Sequence, residues 1–333
     1  MRAVVKGLTM LAALAVMAAC EDTGRMSEPS ADNMQGRPFA TVTGTPAVQS
    51  AWTSCETDAP MEIGGPPSDA LILPRLDPGF AATVAVHCQL EPKRRADHGE
   101  DLVLTEGRAT DLTALLAALR LPDETNIPDA CTADMPWVPN LLLLDNDGRW
   151  IRPGLPTTGC GKARVEVEEA VRALRLTTVK EKVIRETLSS GAAISGCTQE
   201  WKDMVAIETS GPAPRALPGQ VSLPFEPTSQ MRLCVFRVPA DRQGTPDVGG
   251  TFDYGLLLPE QRREVIVRTV TSMPPAQECS SPADRFAVLR AANNTGGEIY
   301  VELDHCRRIM TSPMSSPPTL AQADHTLIEL LGS

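Results

Sequence analysis

Apolar residues recur along this chain with two periods, and the order in which the periods appear repeats. Val84, Val86 and Cys88 fall at alternate positions of a strand-like run, as do Arg232, Cys234, Phe236 and Val238, so both stretches are predicted strands. Leu141 to Leu144, the turn Asp145-Asn146-Asp147-Gly148 and Trp150-Ile151 read as a β-hairpin. Phe286 to Leu289, the turn Asn293-Asn294-Thr295-Gly296-Gly297 and Ile299 to Leu303 read as a second one. Leu112, Leu115, Leu116 and Leu119 mark one amphipathic helix, and Val167, Ala170, Val171 and Leu174 another. Leu320, Ala323, Leu327 and Leu331 predict a C-terminal helix. The stretch from Pro259 to Met273 is ambiguous, because Pro259 suits a helix start whereas Val265-Ile266-Val267 is strand-like.

The cysteines follow the same repeat. Beyond Cys20 there are Cys55, Cys88, Cys131, Cys160, Cys197, Cys234, Cys279 and Cys306. The steps are 33, 43 and 29 residues in the first four, and 37, 45 and 27 in the second four. Cys131 and Cys160 are equidistant from the first predicted turn, and Cys279 and Cys306 from the edge of the second. Antiparallel strands leaving a turn stay side by side, so such cysteines can meet. Pairing first with second and third with fourth is therefore preferred among the three connectivities open to each set. There is no C-x-x-C and no accompanying histidine cluster, which disfavours zinc and thiol redox chemistry.

The N-terminus reads as an export signal. Arg2 and Lys6 precede an apolar run from Leu8 to Met17 that is too short to span a bilayer comfortably. Met17-Ala18-Ala19-Cys20 follows and resembles the bacterial lipobox, with Cys20 as the diacylated (palmitate-type) residue. The polar stretch after it reads as a tether. The expected organisation is a signal peptide over 1–19, a flexible tether over 20–50, a first α+β repeat over 51–177 and a second over 178–333. The expected fold is α+β: two tandem related disulfide-stapled halves, each a small antiparallel sheet including a β-hairpin, with amphipathic helices.

Composition changes the picture in one respect. Net charge is −11, and loss of Arg2 and Lys6 with the signal makes it −13. Such a surface does not suit nucleic acid or anionic lipid headgroups.

The chain also resembles uncharacterised lipoproteins of actinobacteria. The resemblance is carried by Leu119 to Glu124, Ala130-Cys131-Thr132-Ala133, Pro156 to Lys162 and Ser195 to Met204. It covers most of the chain from about residue 50. It implies an extracytoplasmic location and carries over no functional residue.

Chemistry is sparse. There is no G-x-S-x-G elbow and no phosphate-cradling glycine loop. His87 and His305 each precede a cysteine, but His98 and His325 have no such neighbour, and an oxidised cysteine offers no thiolate. Asp145 to Gly148 fails the register of a calcium loop. Glu166, Glu168 and Glu169 with Arg164 and Arg172 read as a solvated helix face. Glu200, Asp203 and Glu208 can form an acid/base pair only if folding aligns them. Trp52, Trp137, Trp150 and Trp201 are the notable large side chains, either packed over disulfides or lining a pocket or partner surface between the repeats. No catalytic residue, metal site or cofactor is expected. The chain reads as a non-enzymatic envelope lipoprotein, membrane-bound through Cys20, that binds a ligand or protein partner. An extracytoplasmic hydrolase assembled only in three dimensions is the alternative.

Overall fold

The computed structural model describes residues 43–61, 69–126, 128–209, 217–218, 221–245, 248–314 and 317–332. Cys20, the signal peptide and the tether up to residue 42 lie outside the described residues.

The first half runs β1 (Gln49–Ala51), α1 (Cys55–Asp58), β2 (Val84–Arg94), β3 (Glu100–Ala109), α2 (Thr113–Leu119), β4 (Asn140–Leu144), β5 (Arg149–Ile151), α3 (Val165–Arg172) and β6 (Thr177–Leu188). Its strands form one antiparallel sheet in the order β1-β5-β4-β2-β3-β6. The second half runs α4 (Ser190–Ser195), β7 (Glu200–Lys202), α5 (Met204–Thr209), β8 (Leu217–Pro218), β9 (Met231–Arg237), β10 (Gly249–Leu257), α6 (Glu260–Val270), β11 (Arg285–Ala291), β12 (Glu298–Glu302), β13 (Arg308–Ser312), β14 (Thr319–Gln322) and α7 (His325–Gly332). Its sheet has the order β7-β10-β9-β11-β12-β13-β14-β8, antiparallel throughout except for the two-residue β8. The run β5-β4-β2-β3 in one sheet thus matches β12-β11-β9-β10 in the other. In each, a hairpin is followed by a helix, a second hairpin and a last helix.

Both sheets are apolar on both faces, which is why their central strands read as nearly continuous apolar runs. Leu141 and Leu143 point to the side covered by α2 and α3, where they join Leu115, Leu119, Val167 and Val171. Leu142 and Leu144 point to the other side, with Val86, Cys55 and Cys88. In the second half, Leu233 and Leu289 meet Ile266 and Val270 of α6 and Leu327 and Leu331 of α7. Phe236, Phe286 and Val288 face Cys197 and Cys234 on the opposite side. The packing of Ile266 and Val270 on the sheet settles the ambiguous stretch after Pro259 as a helix.

Four disulfides join Cys55 to Cys88, Cys131 to Cys160, Cys197 to Cys234 and Cys279 to Cys306. In each half the first bridge ties the segment of the short leading helix to the central strand, under the sheet. The second bridge joins irregular loops beyond the hairpin strands. Each closes a loop worth roughly 3–4 kcal/mol in the chain-entropy account. Four closed bridges are the covalent pattern of a chain that folds outside the cytoplasm. Among the described residues, no helix is long and apolar enough to cross a membrane.

Three boundaries differ from expectation. The first sheet does not end near residue 177: β6 continues it to Leu188 by pairing along the whole of β3, so the halves divide after that residue. Leu320 is not helical, because β14 pairs with β13 and places Leu320 opposite Met310. The C-terminal helix begins after Asp324, whose side chain accepts from the Leu327 N–H. Finally, Gln49 and Ser50 are not tether, since β1 pairs there with β5.

Candidate functional site

The clearest cavity in the second half lies beside Trp201. It encloses about 580 Å³ and is lined by β7, the start of α5, the loop between β9 and β10, and Tyr300 of β12. That volume falls within the range of small-molecule sites. The cavity touches all three residues of β7, Glu200, Trp201 and Lys202, so it runs along the outer edge of the sheet. Met204 adds apolar wall, and Asp241, Arg242 and Thr245 form the rim.

Trp201 is fixed from several sides. Its indole Nε1–H donates to Tyr300 Oη at 3.2 Å. Its ring lies 6.3 Å from that of Phe236, and the Arg290 guanidinium sits 5.2 Å from its centroid. Arg290 also donates to the Gly196 carbonyl at 2.9 Å, at the end of α4. Burial first, and the neighbouring Arg232 second, hold the Arg290 pKa below the usual arginine range. Burial pushes the Tyr300 phenol up to about 12, so it stays protonated. At the rim, Arg242 Nη2 lies 3.4 Å from Glu200 Oε1. Gln243 of the same loop donates to Asp284 at 2.7 Å. The sheet beneath is tight enough that Gly250 admits no side chain: a Cβ there would come within 2.7 Å of Phe286.

A charged group of a different kind lies below. Glu302, fully buried, accepts from the Arg308 backbone N–H (2.9 Å), Nε (2.9 Å) and Nη2 (2.6 Å). Arg308 Nη1 donates to Thr209 at 3.1 Å. Asp203 caps α5 by accepting from the Ala206 N–H at 3.1 Å, while its Oδ2 is buried without a partner. Burial raises the Asp203 pKa to about 6, and Glu302 adds to the rise. Of the three acids singled out in the sequence, Glu200 therefore lies at the cavity and Asp203 beneath it. Glu208 does not line the cavity.

The tryptophans do not meet between the halves. Trp52 and Trp150 contact each other edge-on at 5.4 Å on the disulfide face of the first sheet. Trp52 Nε1 donates to Glu106 Oε1 at 3.2 Å. Trp137 packs on the helix side of that sheet. Trp150 also borders a cavity of about 350 Å³ with Pro46, Gln49, Asp69 and Arg152. Each tryptophan packs within its own half.

The histidines stay apart. His87 is part-buried in β2, and burial lowers its pKa. His98 sits in the β2–β3 turn with φ 70°. His305 lies 3.3 Å from Asp284, both exposed, and precedes the bridged Cys306. His325 lies 3.7 Å from Glu329 on α7. Among the described residues, no group of three His, Cys, Asp or Glu side chains could hold a metal ion. Tyr300, Met204, Arg242 and Thr245 carried no signal of their own in the sequence. Only the scarcity of tyrosine, two in the whole chain, could have singled out Tyr300.

Comparison with protein families, with curated proteins and with solved structures finds no match.

Proposed function

We propose that this is a lipid-anchored extracytoplasmic binding protein, non-enzymatic, whose second half holds a small ligand beside Trp201. The observation that carries the reading is the cavity itself: an indole, a thioether and a phenol form its walls, with charged groups at its rim. The four disulfides support a location outside the cytoplasm. The short apolar run ending at Met17-Ala18-Ala19-Cys20, and the resemblance to actinobacterial lipoproteins, support attachment to the membrane through diacylated Cys20. The acidic charge argues against nucleic acid as partner. The hydrolase alternative has its nearest fit in His305 and Asp284, but both are exposed and the adjacent cysteine is oxidised.

Two measurements test this. Mass spectrometry of the protein from membranes is expected to give an N-terminal peptide beginning at acylated Cys20; an unprocessed Met1 would remove the anchor. Titration with the neutral dye N-phenyl-naphthylamine is expected to saturate at one site and to fail with Trp201→Ala. Unchanged dye binding in that variant would remove the ligand site.

A further inference from the structure

The groups around Trp201 narrow the chemistry of what the cavity accepts. Tyr300 Oη receives the indole proton of Trp201, and among the described residues the phenol's own proton has no acceptor. A donor therefore stands at the inner wall, looking for an oxygen. Arg290 already occupies the cation–π position on Trp201, with Arg232 close enough to disfavour its charge. A ligand ammonium would meet that positive charge through the ring. Arg242 adds a cation at the lining. The opposing carboxylates are less well placed. Glu200 already faces Arg242, a contact that uses one donor of that guanidinium at 3.4 Å and leaves it others. Asp241 is exposed at the mouth, Glu298 faces Arg290 across the strand pair, and buried Asp203 is not a lining residue.

We infer that the cavity takes a flat apolar molecule bearing a carboxylate, its body against Trp201 and Met204 and its oxygens toward the Tyr300 hydroxyl and Arg242. This deepens the binding reading above and rests on it. The apolar walls supply most of the burial, and the donors fix orientation. Arginine suits the head group because its planar fork matches a carboxylate.

Three naphthalene probes of matched size test it by calorimetry on the intact mature protein: naphthoate, naphthamide and naphthylmethylamine. Naphthoate is expected to bind most tightly and the amine most weakly, about tenfold or more apart. Tyr300→Phe is expected to weaken naphthoate roughly tenfold. Because that change also strips Trp201 of its partner, Arg242→Gln provides a second arm: naphthoate weakens and naphthamide does not. Equal binding of the three probes, tightest binding of the amine, or indifference of naphthoate to both substitutions overturns the inference. If the neutral dye still binds at Trp201 in those cases, the ligand class alone has failed. If neither the dye nor any probe binds, the cavity is no ligand site at all.

Discussion

The two halves place a tryptophan near the same kind of disulfide, yet one site is closed and the other open. In the first half, Trp52 donates to Glu106, which also accepts from the Cys55 N–H and from Arg108. The space beside Cys55 and Glu106 is about 10 Å³, room for about one water. In the second half, Trp201 borders about 580 Å³. The difference lies in the strand outside the matching hairpin. β6, twelve residues long, runs the full length of β3, and its Lys180 and Lys182 reach across to Glu56. β7, in the corresponding place beside β10, has three residues. The residue opposite the strand cysteine differs too. Glu106 pairs with Cys88 and reaches the tryptophan, whereas Gly255 pairs with Cys234, and a Cβ there would come within 2.5 Å of Cys197 Sγ. One fold plan thus gives a sealed or an open face according to what flanks it.

The most damaging way to break the comparison is to unpair the buried Glu302–Arg308 ion pair of the second half. Arg308→Met leaves Glu302 buried and uncompensated, and is expected to cost about 3–5 kcal/mol in urea unfolding. A loss under about 1 kcal/mol would show that the pair is not desolvated as described.

Asp203 should act in the opposite direction. Its folded pKa, about 6, lies above the usual 3.8, so between those values the folded protein binds more protons than the unfolded chain. Stability from this group is therefore lost as pH rises from about 4 to 6 and regained on acidification. Asp203→Asn keeps the oxygen that caps α5 and removes the charge. It is expected to stabilise the protein by up to about 3 kcal/mol at pH 7.5, with no gain at pH 3.5. A pH-independent difference between the two proteins would refute the assignment.

The tryptophans themselves sharpen the contrast. Trp52→Phe removes a donor from the buried Glu106 carboxylate and should cost about 1–3 kcal/mol. Trp201→Phe should cost less, because its indole lies at an open cavity, and should show chiefly in ligand binding. Equal stability losses would mean the second site is closed as well.

The bridges give an order rather than a magnitude. Cys131 and Cys279 are exposed, whereas Cys55, Cys88, Cys197 and Cys234 are buried. Graded reduction followed by alkylation should label the Cys131–Cys160 and Cys279–Cys306 bridges first in both halves. Early labelling of Cys88 or Cys234 would contradict the described burial.

Much of the fold was legible because it is local. Gly148 and the Asn293 to Gly297 stretch announce tight turns, and apolar runs on either side can only pair across them. The leucines of α2 and Val167, Ala170 and Val171 of α3 fall on one face of each helix at helical spacing, and that face packs on the sheet. β6 was not legible. Val179, Val183 and Ile184 are scattered among its threonines, lysines and glutamates and all three are exposed, so β6 buries no apolar face of the kind that marks a strand in sequence. Leu320 was misplaced because a single apolar residue fits a helical stripe as well as a strand, and pairing with β13 decided it.

By itself, the sequence determined the doubled plan, the turns, the spacing that lets cysteines meet, and Trp201 as a residue to watch. Those follow from periodicity and short-range geometry, which a linear chain records. Only the tertiary structure decided that Tyr300, 99 residues away, meets Trp201, and that a short β7 leaves their surroundings open. Cavities form from residues distant in sequence, and what leaves this one open is that β7, beside it, is only three residues long, which no local pattern encodes.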